Sequence, residues 1–179
     1  MVFAGLSLTL DAGQSLLARG PNGAGKSSLL RMLAGLIPCH HGRIERQGAM
    51  VLADENLALD GNSRLKDALA FWAHMDGAHA GALEEAMDHF ALLRLADLPV
   101  RMLSTGQRKR AILARLLVSP APIWLLDEPG NGLDAASLEA LGAAMARHVG
   151  KGGAIIAASH FDLPHHFDQI LDLRESSAA

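Results

Sequence analysis

Short apolar runs alternate along this chain with longer stretches of helical period, the pattern of a mostly parallel sheet covered by helices. Ser15 to Arg19 reads as a strand, followed by a glycine-rich turn and a helix from about Lys26 to Gly35. Arg43 to Arg46 and Met50 to Ala53 read as short strands. From about Arg64 to Leu98 the apolar positions Leu65, Leu69, Trp72, Leu83, Met87 and Phe90 fall at helical spacing. This stretch is expected to form a helical subdomain, about residues 64–104, inserted in the α/β core. A helix follows from Gly106 to about Ser119. Ile123 to Leu126 is apolar without alternation, which suits a strand buried on both faces. Ala135 to Val149 reads as a helix, and Ala154 to Ala158 and Ile170 to Leu173 as the last two strands.

The 179 residues suffice for one domain around one core, and residues 1–179 are read as such. Half of the residues are hydrophobic and 20% are charged, too apolar a mixture for a disordered chain. A formal net charge of -3 provides no basic field, so no nucleic-acid partner is expected. Cys39 is the only cysteine, which excludes an internal disulfide and a cysteine-based zinc site and fits a reducing compartment. The first residues have no positive start and meet Asp11 early, unlike a signal peptide. No apolar run reaches the roughly 18 residues of a membrane span. The longest candidate, Ala111 to Leu126, is broken by Arg115, Pro120 and Pro122. The chain is therefore expected to be soluble, with any membrane span supplied by another chain.

Two segments carry phosphate chemistry. Gly20-Pro21-Asn22-Gly23-Ala24-Gly25-Lys26-Ser27, followed by Ser28, matches G-x-x-x-x-G-K-[ST] between an apolar strand and an amphipathic helix. Glycines let the backbone curl its N–H groups inward, and the following helix adds its positive end. Lys26 places a point charge on the β- and γ-phosphates of ATP, and Ser27 offers a hydroxyl to Mg²⁺. The second segment, Ile123 to Glu128, is an apolar strand ending in two carboxylates. Asp127 is expected to hold Mg²⁺, directly or through water, and Glu128 to orient or deprotonate the attacking water.

Three further motifs complete a resemblance. Leu103-Ser104-Thr105-Gly106-Gln107 stands ahead of Asp127 and resembles the ABC signature L-S-G-G-Q. Asn131-Gly-Leu-Asp134 resembles the D-loop, and Ser159-His160 looks like the switch histidine after a strand. The chain is thus identified as a member of the ABC ATPases, an α/β P-loop NTPase fold with an inserted helical subdomain. Ser104 and Gln107 also form an S-x-x-Q capping box, so a helix N-terminus is expected there with a hydroxyl suited to anions. The resemblance implies a homodimer of ATPase subunits with two ATP molecules between them. In it Ser104, Gly106 and Gln107 of one subunit would contact the nucleotide held by the other. Asp134 would lie at that interface, and His160 would contact the γ-phosphate and act with Glu128 in catalysis.

Finer likenesses point to the CcmA family, ATP-binding subunits of the haem exporter of cytochrome c maturation. Phe3 to Leu10, Lys26 to Leu36, Asp67 to Ala73 and Leu103 to Leu116 resemble its stretches. The resemblance implies integral membrane partners, CcmB-like and CcmC-like, and a peripheral place on the cytoplasmic face of the inner membrane. Two departures stand out. Glu55 falls near a position where many relatives carry glutamine or histidine; it could still ligate Mg²⁺, with Asp54 or Asn56 as substitutes. The family also places a first strand and an adenine-stacking residue ahead of the segment that opens this chain, so roughly fifteen to twenty residues are expected to be missing. Other readings are an ATPase subunit of another small ABC exporter, a non-transport ABC protein, and a module that holds nucleotide without turnover.

Blander expectations cover the rest. His40-His41 and His165-His166 read as surface loop histidines. Phe71, Trp72 and Met75 read as core of the helical subdomain, with part of that face open to a membrane subunit. Arg108, Lys109 and Arg110 read as a solvated helix face.

Overall fold

The computed structural model describes residues 6–54 and 59–173. Five strands form one sheet: β1 (Ser15–Arg19), β2 (Met50–Ala53), β3 (Ile123–Asp127), β4 (Ala154–Ala158) and β5 (Gln169–Asp172). Their order is β2-β3-β4-β1-β5, and every neighbouring pair is parallel. The helices are α1 (Lys26–Leu33), α2 (Leu65–Met75), α3 (Ala82–His89), α4 (Thr105–Val118) and α5 (Ala135–Gly150). Two single 3₁₀ turns, Leu93–Leu95 and Val100–Met102, link α3 to α4.

The central strands carry unbroken apolar runs, Leu16 to Ala18, Ile123 to Leu126 and Ala154 to Ala158, because both of their faces are covered. Leu16, Leu125 and Ile156 join a cluster with Leu29 and Leu30 of α1. Their sequence neighbours Leu17, Leu126, Ile155 and Ala157 face the larger cluster, which includes residues of α2, α3, α4 and α5. This period-two division of one apolar run puts α1 alone on one face and the other helices on the opposite one. Parallel strands point their C-terminal ends at one edge. The segments that follow Arg19, Asp127 and Ala158 therefore emerge side by side, since β3, β4 and β1 are adjacent.

The expected strand at Arg43 to Arg46 does not form. Three of its four residues are charged, so it has no apolar face to bury; instead Arg43 pairs with Glu45 at 3.3 Å and Arg46 donates to the carbonyl of Leu33 at 2.9 Å. Phe71 and Met75 are not core either, being 57% and 62% exposed, whereas Trp72 is half-buried. His165 is not a free surface histidine. It is half-buried, lies 3.2 Å from the Ser15 hydroxyl, and burial lowers its pKa. Phe3, which opens the first of the family-like stretches, lies outside the described residues, as does Glu55.

The loop after β4 is seated on α5 through Gly142, where an added Cβ would stand 2.3 Å from the carbonyl oxygen of Pro164. Alanine is the better helix former by about 1 kcal/mol. Overpacking against a backbone atom costs about 1–3 kcal/mol, so Gly142→Ala is expected to lower the melting temperature. A thermal melt followed by circular dichroism checks this, and an unchanged or raised midpoint would refute the contact.

Candidate functional site

The expected cradle is assembled at the C-terminal edge of the sheet. Gly20, Gly23 and Gly25 have positive φ, at 156°, 84° and 94°. At Gly23 and Gly25 the chain runs through the left-handed region, which glycine enters without a Cβ penalty. Gly25 immediately precedes α1, so the curled loop ends on a helix N-terminus. Lys26 is buried, only 6% exposed, and its Nζ donates to the carbonyls of Gly20 at 2.8 Å and Pro21 at 3.3 Å. Those bonds hold the ammonium across the mouth of the loop. Pro21 and Asn22 are exposed on the loop, with Ala24 and Ser28 half-buried beside it.

Opposite the loop stand the two carboxylates that end β3. Glu128 has φ of 47°, a left-handed conformation rare outside glycine. Its amide donates to Ala158 at 2.9 Å, which ties the bend to β4. The turn separates the two side chains. Glu128 Oε1 lies 3.4 Å from Lys26 Nζ, and its Oε2 lies 2.9 Å from His160 Nδ1. One carboxylate is thus shared between the phosphate-loop lysine and the histidine after β4. Backbone strain of this kind persists where the surroundings over-determine it, and such places cluster at reactive sites.

Asp127 is only 7% exposed, and its Oδ1 has no hydrogen-bond partner among the described residues. Burial raises its pKa, and the nearby charges of Glu128 and Asp54 add to the rise; a hydrogen bond from Ser27 and the charge of Arg31 oppose it. A buried carboxylate oxygen left without a donor is costly, and a divalent cation would satisfy it. Ser27 and Asp127 therefore fit Mg²⁺, a hard ion that takes one or two protein oxygens and completes its shell with water and phosphate. Arg31 of α1 adds an ion pair to Asp54 at 3.7 Å.

The second surface lies at the start of α4. Ser104 caps this helix: its hydroxyl accepts from the Gln107 amide at 3.3 Å, and its own amide donates to Gln107 Oε1 at 2.9 Å. Asp134 caps α5, accepting from the Ser137 amide at 2.8 Å. Bonds from Ser137 and the charge of Arg110 hold the Asp134 carboxyl below its usual range. The two caps border one hollow of about 200 Å³ that also includes Gly106, Gln107 and Arg110. A Cβ on Gly106 would lie 3.7 Å from the Gly132 carbonyl, so the two backbones pass close together. Arg110 is not merely solvated, because it donates to the Phe90 carbonyl at 3.0 Å; Arg108 donates to the Arg101 carbonyl at 2.7 Å.

The chain therefore gathers Gly20 to Ser28, Asp127, Glu128 and His160 in one place, and Ser104, Gly106, Gln107 and Asp134 in another. A roomier cavity of about 350 Å³, lined by Trp124, His148 and Pro122, contains none of these residues. Sequence reasoning missed the pair formed by Arg19 and Asp162, which ties the end of β1 to the segment after His160. Opposite charges at two strand ends were the available signal, but only the sheet order makes those ends adjacent.

The model of the ABC transporter family matches residues 3–131. The cytochrome c biogenesis ATP-binding export protein CcmA of Sphingopyxis alaskensis is 54% identical over 163 residues, 91% of this chain and 84% of that protein. The protein of the same description from Zymomonas mobilis is 56% identical over 160 residues, 89% of this chain and 72% of its own length. Among solved structures, an ABC transporter ATP-binding protein from Pyrococcus furiosus superposes with a TM-score of 0.84 at 23% identity, covering 97% of this chain and 90% of that one. The ATP-binding subunit of an ABC transporter gives 0.81 at 24% identity, covering 89% and 73%.

Proposed function

Because this chain belongs to the ABC transporter family, and within it to the CcmA ATP-binding export proteins, we propose that it hydrolyses MgATP between two copies of itself to drive the haem exporter of cytochrome c maturation. The observation that carries the site assignment is Glu128 standing between Lys26 Nζ at 3.4 Å and His160 Nδ1 at 2.9 Å. Phosphoryl transfer asks the protein for positioning and charge neutralisation more than for covalent chemistry.

Each residue then has a role. The loop from Gly20 to Gly25 presents its amides to the phosphates, and Lys26 puts its charge on the β- and γ-groups. Ser27 and Asp127 would hold Mg²⁺, which when bound neutralises charge on the phosphate oxygens. Glu128 orients the attacking water and accepts its proton. His160 holds Glu128 and reaches for the γ-phosphate. The capped end of α4 meets the nucleotide of the other subunit as an anion site, with Ser104, Gly106 and Gln107 in contact and Asp134 along the seam. Glu55 retains its proposed place beside the metal.

Two features support a membrane partner. Among the described residues no helix is long and apolar enough to cross a membrane. Phe71 and Met75 leave apolar surface on α2, which on a water-facing domain commonly marks a partner. CcmB-like and CcmC-like subunits are the proposed partners, and the cytoplasmic face of the inner membrane the proposed place.

Mixing two inactive variants tests the arrangement. Lys26→Ala removes the lysine, and Ser104→Arg blocks the capped helix end. Head-to-tail pairing leaves a mixed dimer with one intact site, made of one chain's loop and the other's helix. Neither variant alone should release phosphate, and the mixture should recover turnover. Failure of the mixture, with wild type active and both variants folded, would refute the shared site. Co-purification with a CcmB-like protein tests the choice of complex.

A further inference from the structure

Arg115 stands in the last turn of α4, on the same helix whose first turn is capped by Ser104. Its guanidinium carbon lies 3.8 Å from the centre of the Trp72 ring on α2. Phe71 meets that ring edge-on at 5.4 Å. Arg115 Nε is buried with no hydrogen-bond partner among the described residues. Two carboxylates reach the guanidinium with their charge: Asp76, just past α2, and Asp54, just past β2. Asp54 in turn lies 3.7 Å from Arg31 of α1, and its charge also acts on Asp127.

These contacts join three parts of the molecule that the site needs in register. Asp54 touches the helix of the phosphate loop and the field of the metal carboxylate. Arg115 belongs to the helix that presents Ser104. Trp72 belongs to the helical layer. A half-buried cation with a buried, unpartnered N–H is a poor device for stability, because an apolar side chain of similar length would fill the space without the desolvation cost. Its planar face and its charge are both engaged here, one by Trp72 and the other by Asp76 and Asp54, a combination suited to arginine and not to lysine.

We propose that Arg115 is a positioning residue for hydrolysis: stacked on Trp72 at the far end of α4, it sets the capped end of that helix at the height required by the nucleotide of the other subunit. The inference rests on the two-chain sandwich proposed above. Arg115 is not among the residues proposed to hold nucleotide in its own chain, so its loss should leave binding to the Lys26 loop intact and impair the step that needs the second chain.

The test compares Arg115→Met, Arg115→Lys and Trp72→Leu. Affinity for MgATP is measured by calorimetry on the single chain, kcat and KM by phosphate release, and ATP-driven dimerisation by light scattering in a Glu128→Gln background. Arg115→Met should keep its MgATP affinity and lose about tenfold or more in kcat, as expected for a misplaced reacting surface. It should also weaken dimerisation. Arg115→Lys should recover only part of the loss, since an ammonium lacks the planar face. Adding Trp72→Leu to Arg115→Met should cost less than the sum of the two. If Arg115→Met does not fold, Arg115→Lys and Trp72→Leu are read on the same three measurements. A fall in ATP affinity parallel to the fall in kcat, unchanged kcat, or full additivity of the two substitutions would overturn the proposal. The outcomes are separable: if Glu128→Gln alone does not dimerise with ATP, the sandwich fails. If it does, and the Arg115 variants dimerise and turn over as wild type, only the role of Arg115 fails.

Discussion

Glu128→Gln should lower phosphate release by about 10²–10⁴-fold, the range associated with removal of a positioned general base, while ATP stays bound. The substitution keeps the shape of the side chain and removes its negative charge. That charge now faces Lys26 Nζ at 3.4 Å and His160 Nδ1 at 2.9 Å. Without it the lysine is freed for phosphate, so affinity for MgATP should be equal or tighter. The variant should accumulate as an ATP-filled dimer, visible as a shift in size-exclusion elution that ADP does not produce. Equal background phosphate release from wild type and variant would remove Glu128 from catalysis. Loss of ATP binding would instead make it a structural partner of Lys26.

Asp127→Asn should separate stability from function at the other carboxylate. Burial pushes the Asp127 pKa up, and the charges of Glu128 and Asp54 push it in the same direction. Between the unfolded value and the raised folded value, the folded chain binds more protons than the unfolded one. Stability contributed by this group is therefore fully present below the unfolded pKa and declines as pH rises through the folded value. Where it is ionised, the partly unsatisfied carboxylate costs on the order of 1–3 kcal/mol. Asparagine removes the charge, so the chain without nucleotide should melt about 2–12 °C higher. The same change removes the oxygen charge that Mg²⁺ requires. Adding ATP with Mg²⁺ should then raise the melting temperature no more than ATP with EDTA, whereas wild type gains about 2.7 kcal/mol at a hundredfold excess over Kd. A lower melting temperature without ligand, or an undiminished effect of Mg²⁺, would contradict the role given to Asp127.

Most strand and helix positions, the glycine-rich turn, the acidic strand end and the capping box were legible in the sequence, and for one reason. Each is a local pattern whose energetics close within a few residues: an apolar run for a buried strand, glycines where φ is positive, and Ser104 three residues before Gln107. β1 and β4 keep the bounds that periodicity suggests, and the capping box forms with both of its bonds. Arg43 to Arg46 misled because a four-residue run depends on a paired neighbour that its own side chains cannot specify. Phe71 and Met75 misled because helical spacing marks a face but does not say whether another element covers it.

Other features were decided only by the tertiary structure. The order β2-β3-β4-β1-β5 brings His160, Glu128 and Lys26 within ion-pair distance although they lie on three separate segments. The left-handed turn at Glu128 and the Arg115–Trp72 stack likewise have no local signature, since each depends on what packs against it. By itself the sequence determined most of the elements and singled out the residues proposed for phosphate chemistry. Which of them meet was settled by the sheet, because long-range adjacency follows from strand order and burial, and neither is encoded in the spacing of residues along the chain.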